Sequence, residues 1–451
     1  MATPEHLPAF WDQSVVFFAN LLALFYGNEE ETAVLSREIG NVESYGGRLI
    51  PVLDILFAGG QNTLVLEQEP EAALCAYFKD TLGLRLPELR LMKHATYERL
   101  GQSFESGSTE ETDKILSGLE QSHARLVDGY VTDPTLAGIA SHLAKQTAST
   151  MEGSHCGNNK WLLHKHIEEA GLPVPATETA ASVEDVSACL ERLTKQGFRH
   201  AVVKSQIGAS GIGIQKVVIE DYDSASIPEM MFYEGPCMVQ GWLEPGLHGI
   251  ESIKSPSVQL FLDPERVCMY DMTEQILSHD SVHEGNESPP PYLDERGQIK
   301  EELLRQAEIA GQWLHTQGYR GTASVDFLLA YREGKLLPTV YICEINARVT
   351  GATYPSVLAR HFQPGCSWLM RNLKFIEPVE GQRLLDLLEE AKHLFKPESS
   401  SGILPVNFNL APSGLVTKGQ FLCIGQSGDV CHRYLTLAET DLPIDWDYVR
   451  D

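Results

Sequence analysis

Short apolar runs, bounded by glycine, proline and polar clusters, alternate with amphipathic stretches along most of the chain. Asn62-Thr63-Leu64-Val65-Leu66 reads as a buried strand, residues 70–81 as the helix after it, and residues 86–92 as a further strand. This strand–helix–strand alternation predicts a small α/β layer over residues 1–150, with turns at Ser106-Gly107-Ser108-Thr109 and Asp133-Pro134. No GxGxxG occurs in it, so a dinucleotide site has no support there.

The pattern then changes. Asn158-Asn159-Lys160 leads into the helical run WLLHKHIEEAG, which ends on Gly171, the residue type expected just past a helix C-terminus. A second helix is expected over 184–196, and Ala201-Val202-Val203-Lys204 reads as a strand. Residues 151–244 form one expected unit and 245–372 another, with 373–451 as a C-terminal segment placed to cap a substrate site. The loop 278–294, with Pro289, Pro290 and Pro291 in succession, is expected to be a mobile excursion. The last segment offers a helix over 381–394, a serine-rich linker at 399–401 and strand-like runs such as 420–425; no internal repeat is visible.

Composition narrows the function classes. The 451-residue chain is 43% hydrophobic and 22% charged, ordinary for a globular protein of two to four domains. Its 35 basic against 62 acidic residues give a net charge of −27, which argues against a nucleic-acid partner yet leaves room for a local basic pocket. The nine cysteines show neither CxxC pairs nor metal-ligand spacing, the usage of a reduced, cytoplasmic protein. No signal peptide and no uninterrupted apolar stretch of about 18 residues is evident, so no membrane partner is expected.

The segment carrying most chemistry is YICEINARVTG, residues 341–351, together with Val325-Asp326-Phe327 upstream. If these are neighbouring strands, Asp326, Glu344 and Asn346 converge. In a strand, Glu344, Asn346 and Arg348 share one face, because side chains alternate with period two. Two carboxylates and a carboxamide suit a hard divalent cation, Mg²⁺ or Mn²⁺, with Arg348 beside it for phosphate. Taken alone, a solvated edge strand with an incidental ion pair also fits.

Lys204 ends a strand that runs into Ser205-Gln206-Ile207-Gly208-Ala209-Ser210-Gly211-Ile212-Gly213. Gly208, Gly211 and Gly213 would let backbone N–H groups approach phosphate oxygens, Ser210 adds a hydroxyl, and Lys204 adds a charge. The lysine precedes the glycines, so this is no Walker A loop. An ordinary hairpin turn between strands 201–204 and 213–218 is the other reading, and a hairpin laid over phosphates satisfies both. Residues 238–244 read as a strand entering a hinge, where backbone groups and Gln240 could meet an adenine edge; a plain buried strand fits equally. His248 is placed to meet a ribose or to be a surface histidine, Lys160 to meet phosphate or solvent, and Thr273-Glu274-Gln275 to face the same cleft.

The order of these pieces resembles the ATP-grasp superfamily of carboxylate–amine ligases over residues 157–362. The stretch VQGWLEPGLH is similar to that of biotin carboxylase. Across the whole chain, DGYVTDPTLAGIASHLA at 128–144 and ARVTGATYPSVLARHF at 347–362 resemble the pheganomycin-type peptide ligase branch, which has a pre-ATP-grasp domain. The resemblance implies an α/β (α+β) ATP-grasp fold: two α+β subdomains clasping the nucleotide, preceded by a Rossmann-like domain. It implies that Lys160 and Lys204 hold ATP phosphates and that the 208–213 loop closes over them. By the same resemblance Gln240, Leu243 and His248 contact the nucleoside, Asp326, Glu344 and Asn346 bind magnesium, and Arg348 steadies the transferred phosphate. Ala323 and Ser324 stand where many members carry an arginine, and Arg320 is the nearest replacement. The implied reaction joins a small-molecule carboxylate to an amino-acid or peptide amine with release of ADP and phosphate, in natural-product biosynthesis. The rival readings are a phosphotransferase and a catalytically silent nucleotide-binding homologue. Gly351, Thr353 and Tyr354 are expected to line the substrate pocket, no cysteine or histidine is given catalytic work, and a homodimer is the default assembly.

Overall fold

The computed structural model describes residues 7, 10–39, 42–209, 211–277, 283–293 and 297–445. Near the N-terminus, a five-stranded parallel sheet has the order Glu88–Leu91, Thr63–Leu66, Val15–Phe18, Leu126–Gly129, Gln146–Thr147. The expected α/β layer is therefore present. Its central strand is apolar throughout because both faces are covered. Val16, Phe18 and Val65 face Tyr97, Leu100, Leu136 and Ile139. Val15, Phe17, Leu64 and Leu66 face a second and much larger core. The expected helix at 70–81 is Ala72–Ala76 followed by a wider π-helical turn, Tyr77–Thr81.

A four-stranded antiparallel sheet follows, in the order Thr177–Ala180, Cys237–Gly241, His200–Lys204, Ile214–Val218. Helix Val183–Lys195 packs Val186, Cys189, Leu190 and Leu193 onto it. Lys204 pairs with Ile214 and Ala201 with Val217, so the glycine-rich segment is the turn of a hairpin.

The third sheet has nine antiparallel strands. Its core holds Gly321–Arg332 between Pro256–Leu262 and Thr339–Asn346, backed by the helix Gly297–Thr316. Two expectations fail here. Residues 283–288 of the supposed mobile loop form a strand, His283–Ser288, paired with Val267–Leu277 and Ser367–Val379; its backbone bonds hold it in the sheet. Residues 278–282 and 294 of that loop lie outside the described residues. The boundary at 372/373 also falls inside a strand. Ser367–Val379, Val416–Gly425 and Gly402–Leu410 extend the same sheet. Their inner side chains, among them Trp368, Leu404 and Phe421, share one core with Phe17, Leu53 and Leu64 of the N-terminal unit. The C-terminal segment thus completes the sheet and buries its apolar face against the N-terminal unit, where a separate cap would have left that face exposed. Among the described residues, no helix is long and apolar enough to cross a membrane.

Candidate active site

Pairing of Gly321–Arg332 with Thr339–Asn346 sets Asp326 directly opposite Glu344 and Ser324 opposite Asn346. The Asn346 amide donates to Asp326 Oδ2 at 2.9 Å and to Glu344 Oε1 at 3.3 Å, while Ser257 Oγ donates to Asp326 Oδ1 at 2.6 Å. Burial, together with the facing Glu344 carboxylate, pushes Asp326 up to about 7. Burial also works against charge on Glu344, but Lys160 and Arg348 overcome it and hold its carboxyl below the ordinary value.

Lys160 links this pair to the hairpin. Asn159 caps helix Lys160–Glu169, its side chain accepting from Leu162 N at 3.0 Å, and Lys160 N donates to Gln206 O at 2.7 Å. The buried Lys160 Nζ lies 3.1 Å from Gly208 O and 3.1 Å from Glu344 Oε2. Lys204 stands within electrostatic reach of Lys160 and Glu344, and burial pushes its ammonium below the ordinary value. Gly211 and Gly213 have φ of +84° and +74°, the region where only glycine is unstrained. Ser210 lies outside the described residues.

Arg348 is oriented by Asn158, whose Oδ1 accepts from the guanidinium and whose Nδ2 donates to Ser154 O at 2.8 Å and Ala347 O at 3.3 Å. Arg320, the expected replacement cation, donates instead to His315 O at 2.8 Å and Tyr319 O at 2.6 Å, so it closes the end of helix Gly297–Thr316. Gln240 donates to Thr177 Oγ1 at 2.9 Å within the small sheet. Leu243 packs against both the small-sheet core and Ile250, Ala330 and Tyr341. The His248 ring rests on Phe198, with Nε2 3.0 Å from Gln196 O.

Asp326, Glu344, Asn346 and Arg348 form one wall of a cavity of about 320 Å³. Gln275, Gly351 and Tyr354 line it, while Thr353 Oγ1 accepts from Thr350 N at 2.9 Å. The neighbouring Glu274 binds Tyr292 and Ser255 N. Several contributors lie outside every motif: Arg48 from the N-terminal unit, and Asn372, Asn409 and Gln420 from the C-terminal strands. Glu31 is a further buried group of this kind. It stands beside Ser205 at the hairpin root, burial pushes it up to about 7, and Glu234 adds to the rise while Lys160 opposes it. Ile207 and Ile212 of the hairpin turn are buried in the core of the N-terminal unit.

The donor set bears on a metal. Among the described residues no three His, Cys, Asp or Glu side chains cluster to hold one. Two crowded carboxylates plus an amide oxygen are nonetheless hard donors, too few for a closed cage and suited to a cation that also takes phosphate oxygens.

The ATP-grasp domain family matches residues 157–352. The butirosin acyl-carrier protein–L-glutamate ligase of Niallia circulans is 29% identical over 201 residues, 44% of this chain and 44% of that protein. The match therefore spans less than half the length of this curated relative. The solved structure of an N5-carboxyaminoimidazole ribonucleotide synthetase in its ADP complex superposes with a TM-score of 0.61 at 13% identity, covering 98% of this chain and 99% of that one. L-amino acid ligase from Bacillus licheniformis gives a TM-score of 0.55 at 12% identity, with 97% and 99% covered. The sheet-borne carboxylate pair and the lysine-anchored glycine hairpin that faces it both lie within residues 157–352, the part of the chain that matches the ATP-grasp domain family.

Proposed function

We propose that the chain is an ADP-forming ligase that activates a carboxylate as an acyl phosphate and joins it to an amine, with an amino acid or peptide on at least one side. An oxygen of the acid attacks the γ-phosphorus of ATP, the bond from that phosphorus to the β–γ bridging oxygen breaks, and ADP leaves. The amine nitrogen then attacks the acyl carbon, the bond from carbon to phosphate oxygen breaks, and the amine proton passes to solvent. Mg²⁺ or Mn²⁺ on Asp326, Glu344 and Asn346 would supply charge neutralisation for the phosphates. Lys160 and Lys204 are positioned cations for the phosphate chain, and the 208–213 turn supplies backbone donors and excludes water that would hydrolyse the acyl phosphate. Gln240 and Leu243 at the hinge would meet the base, with His248 near the ribose side. Arg348, fixed by Asn158, would hold the transferring phosphoryl group.

The observation that carries this reading is the Asp326–Glu344 pair, with Lys160 and Arg348 against it, opening onto one cavity. The test couples ADP release to a panel of acids and amines with Mg–ATP, and adds hydroxylamine to trap acyl phosphate as hydroxamate. Acid-dependent hydroxamate, lost in Glu344→Ala, is the expected result. A stable phosphorylated acceptor would mean a phosphotransferase instead. ADP release unchanged by Glu344→Ala would remove the metal assignment.

A further inference from the structure

The cavity has a second pole, opposite in character to the carboxylate wall. Arg48 is 8% exposed, lines the cavity, and has no ion-pair partner among the described residues. Its guanidinium lies 3.5 Å from the centre of the Tyr45 ring and donates to Tyr354 OH at 3.1 Å, while its Nε finds no acceptor. A buried cation without a counter-charge is costly unless something supplies one.

The polar groups around it point the same way. Asn372 Nδ2 donates to Glu284 O at 3.2 Å, which turns its Oδ1 toward Gln420. Gln420 Nε2 therefore donates to Asn372 Oδ1 at 2.8 Å and to Tyr354 OH at 3.1 Å. The Tyr354 oxygen thus receives two donors, and its own proton has no acceptor among the described residues. The guanidinium Nε–H and the phenol O–H are thus without an acceptor among the described residues. Of the acidic residues lining the cavity, Asp326 and Glu344 belong to the other wall and Glu38 is exposed at the rim.

Arg48 is held there by backbone packing. A Cβ at Gly46 would come within 2.6 Å of Ala19 Cβ, and one at Gly47 would collide with Asn407 Oδ1. These two glycines let the turn Val42–Leu49 press between the parallel sheet and strand Gly402–Leu410. Leu21 and Leu24, in the turn that follows the central parallel strand, line the same cavity, and that is the edge where open α/β sheets bind ligands.

We propose that Arg48, with Tyr354 oriented by Gln420, binds a free carboxylate of the small-molecule substrate, distinct from the carboxylate activated beside Glu344. The substrate class is then an amino acid or short peptide that keeps one carboxylate unreacted. This deepens the ligase reading and rests on it for calling the cavity a substrate site. The experiment measures binding by thermal shift and calorimetry in the presence of Mg and a non-hydrolysable ATP analogue. Probes are the L-amino acids, L-glutamate among them, and their α-amides, with L-glutamine as the side-chain amide of glutamate. At least one acid is expected to bind about 10- to 100-fold more tightly than its amide, the range of a charge-assisted hydrogen bond. Arg48→Met, which fills the same volume without a buried charge, should abolish that preference, and Arg48→Lys should retain part of it. Stabilisation by Mg–ATP reports that each variant is folded; if Arg48→Met is not, the Arg48→Lys ratio decides alone. Amides binding as well as acids, no acid binding at all, or a preference untouched by the Arg48 variants would overturn the proposal. Hydroxamate formation needs no amine, so a defect there assigns the carboxylate to the acid substrate, and a defect only with amine present assigns it to the amine. Failure of hydroxamate formation with Arg48-dependent binding intact would sink the ligase reading and leave the carboxylate site standing.

Discussion

Replacing Glu31 by glutamine should change how stability depends on pH, with a sign and size that follow from its burial. Glu31 is 2% exposed, and its Oε1 finds no hydrogen-bond partner among the described residues. Burial raises its carboxyl from 4.5 to about 7. In that window the folded chain keeps the proton and the unfolded chain has lost it, so stability falls as pH rises. The stabilisation is fully present below about pH 4.5 and gone above about pH 7. At about 1.4 kcal/mol per unit, the loss across the window is about 3 kcal/mol. Glutamine occupies the same space and never ionises. Urea unfolding followed by tryptophan fluorescence, from about pH 5 to 8, should therefore show wild type losing ground to Glu31→Gln by about 1–3 kcal/mol. Parallel curves for the two proteins would refute the reasoning. So would a gap that widens toward acid pH.

Three further substitutions test the site and its frame. Gly213→Ala should raise KM for ATP about tenfold, since φ is +74°, a Cβ would collide with Ser205 Oγ, and about 1–2 kcal/mol of strain falls on the hairpin over the phosphates; unchanged ATP kinetics would count against the hairpin's role. Asn158→Ala should lower kcat about tenfold and leave KM for ATP nearly unaltered, because it frees Arg348 without touching the lysines; equal changes in both constants would indicate a general structural effect. Arg360→Met should destabilise the fold by about 3–5 kcal/mol, because it strips the 2.8 Å partner from Asp271, which is 3% exposed. Adding Asp271→Asn should recover much of that loss in the same denaturation measurement, and no recovery would argue against the ion-pair account.

The wall bearing Glu344 was legible because its signal is local. An acid and an amide two residues apart in an apolar run declare one polar face of a buried strand, and the ladder then sets Asp326 across from Glu344; Arg348, expected on the same strand face, lies just past the strand's end at Asn346. The hairpin was legible for a similar reason, since lysine and three glycines mark a turn whatever else they do. Arg48, Asn158 and Glu31 gave no comparable sign. Each depends on contacts made far along the chain: Arg348 to Asn158 spans 190 positions and Arg48 to Tyr354 spans 306. No periodicity within one segment encodes such a meeting. The Tyr45-Gly46-Gly47-Arg48 sequence carried a hint, two glycines before a cation, but a surface turn reads identically.

The C-terminal strands show where the same criterion would have reached further. In Gly402–Leu410 every position is buried, yet Asn407 and Asn409 alternate with Val406, Phe408 and Leu410. In Val416–Gly425, Lys418 and Gln420 alternate in the same way, and Asn409, Lys418 and Gln420 all line the cavity. Burying several amides on one strand face is expensive unless they hold each other or a ligand. A separate cap would give those amides solvent on that face and no reason for period-two placement inside an apolar run. A strand completing a sheet around a polar cavity requires it. The polar alternation that marks Glu344 and Asn346 on one side of the cavity thus recurs on the other, and strands Gly402–Leu410 and Val416–Gly425 belong to the cavity wall as much as to the core.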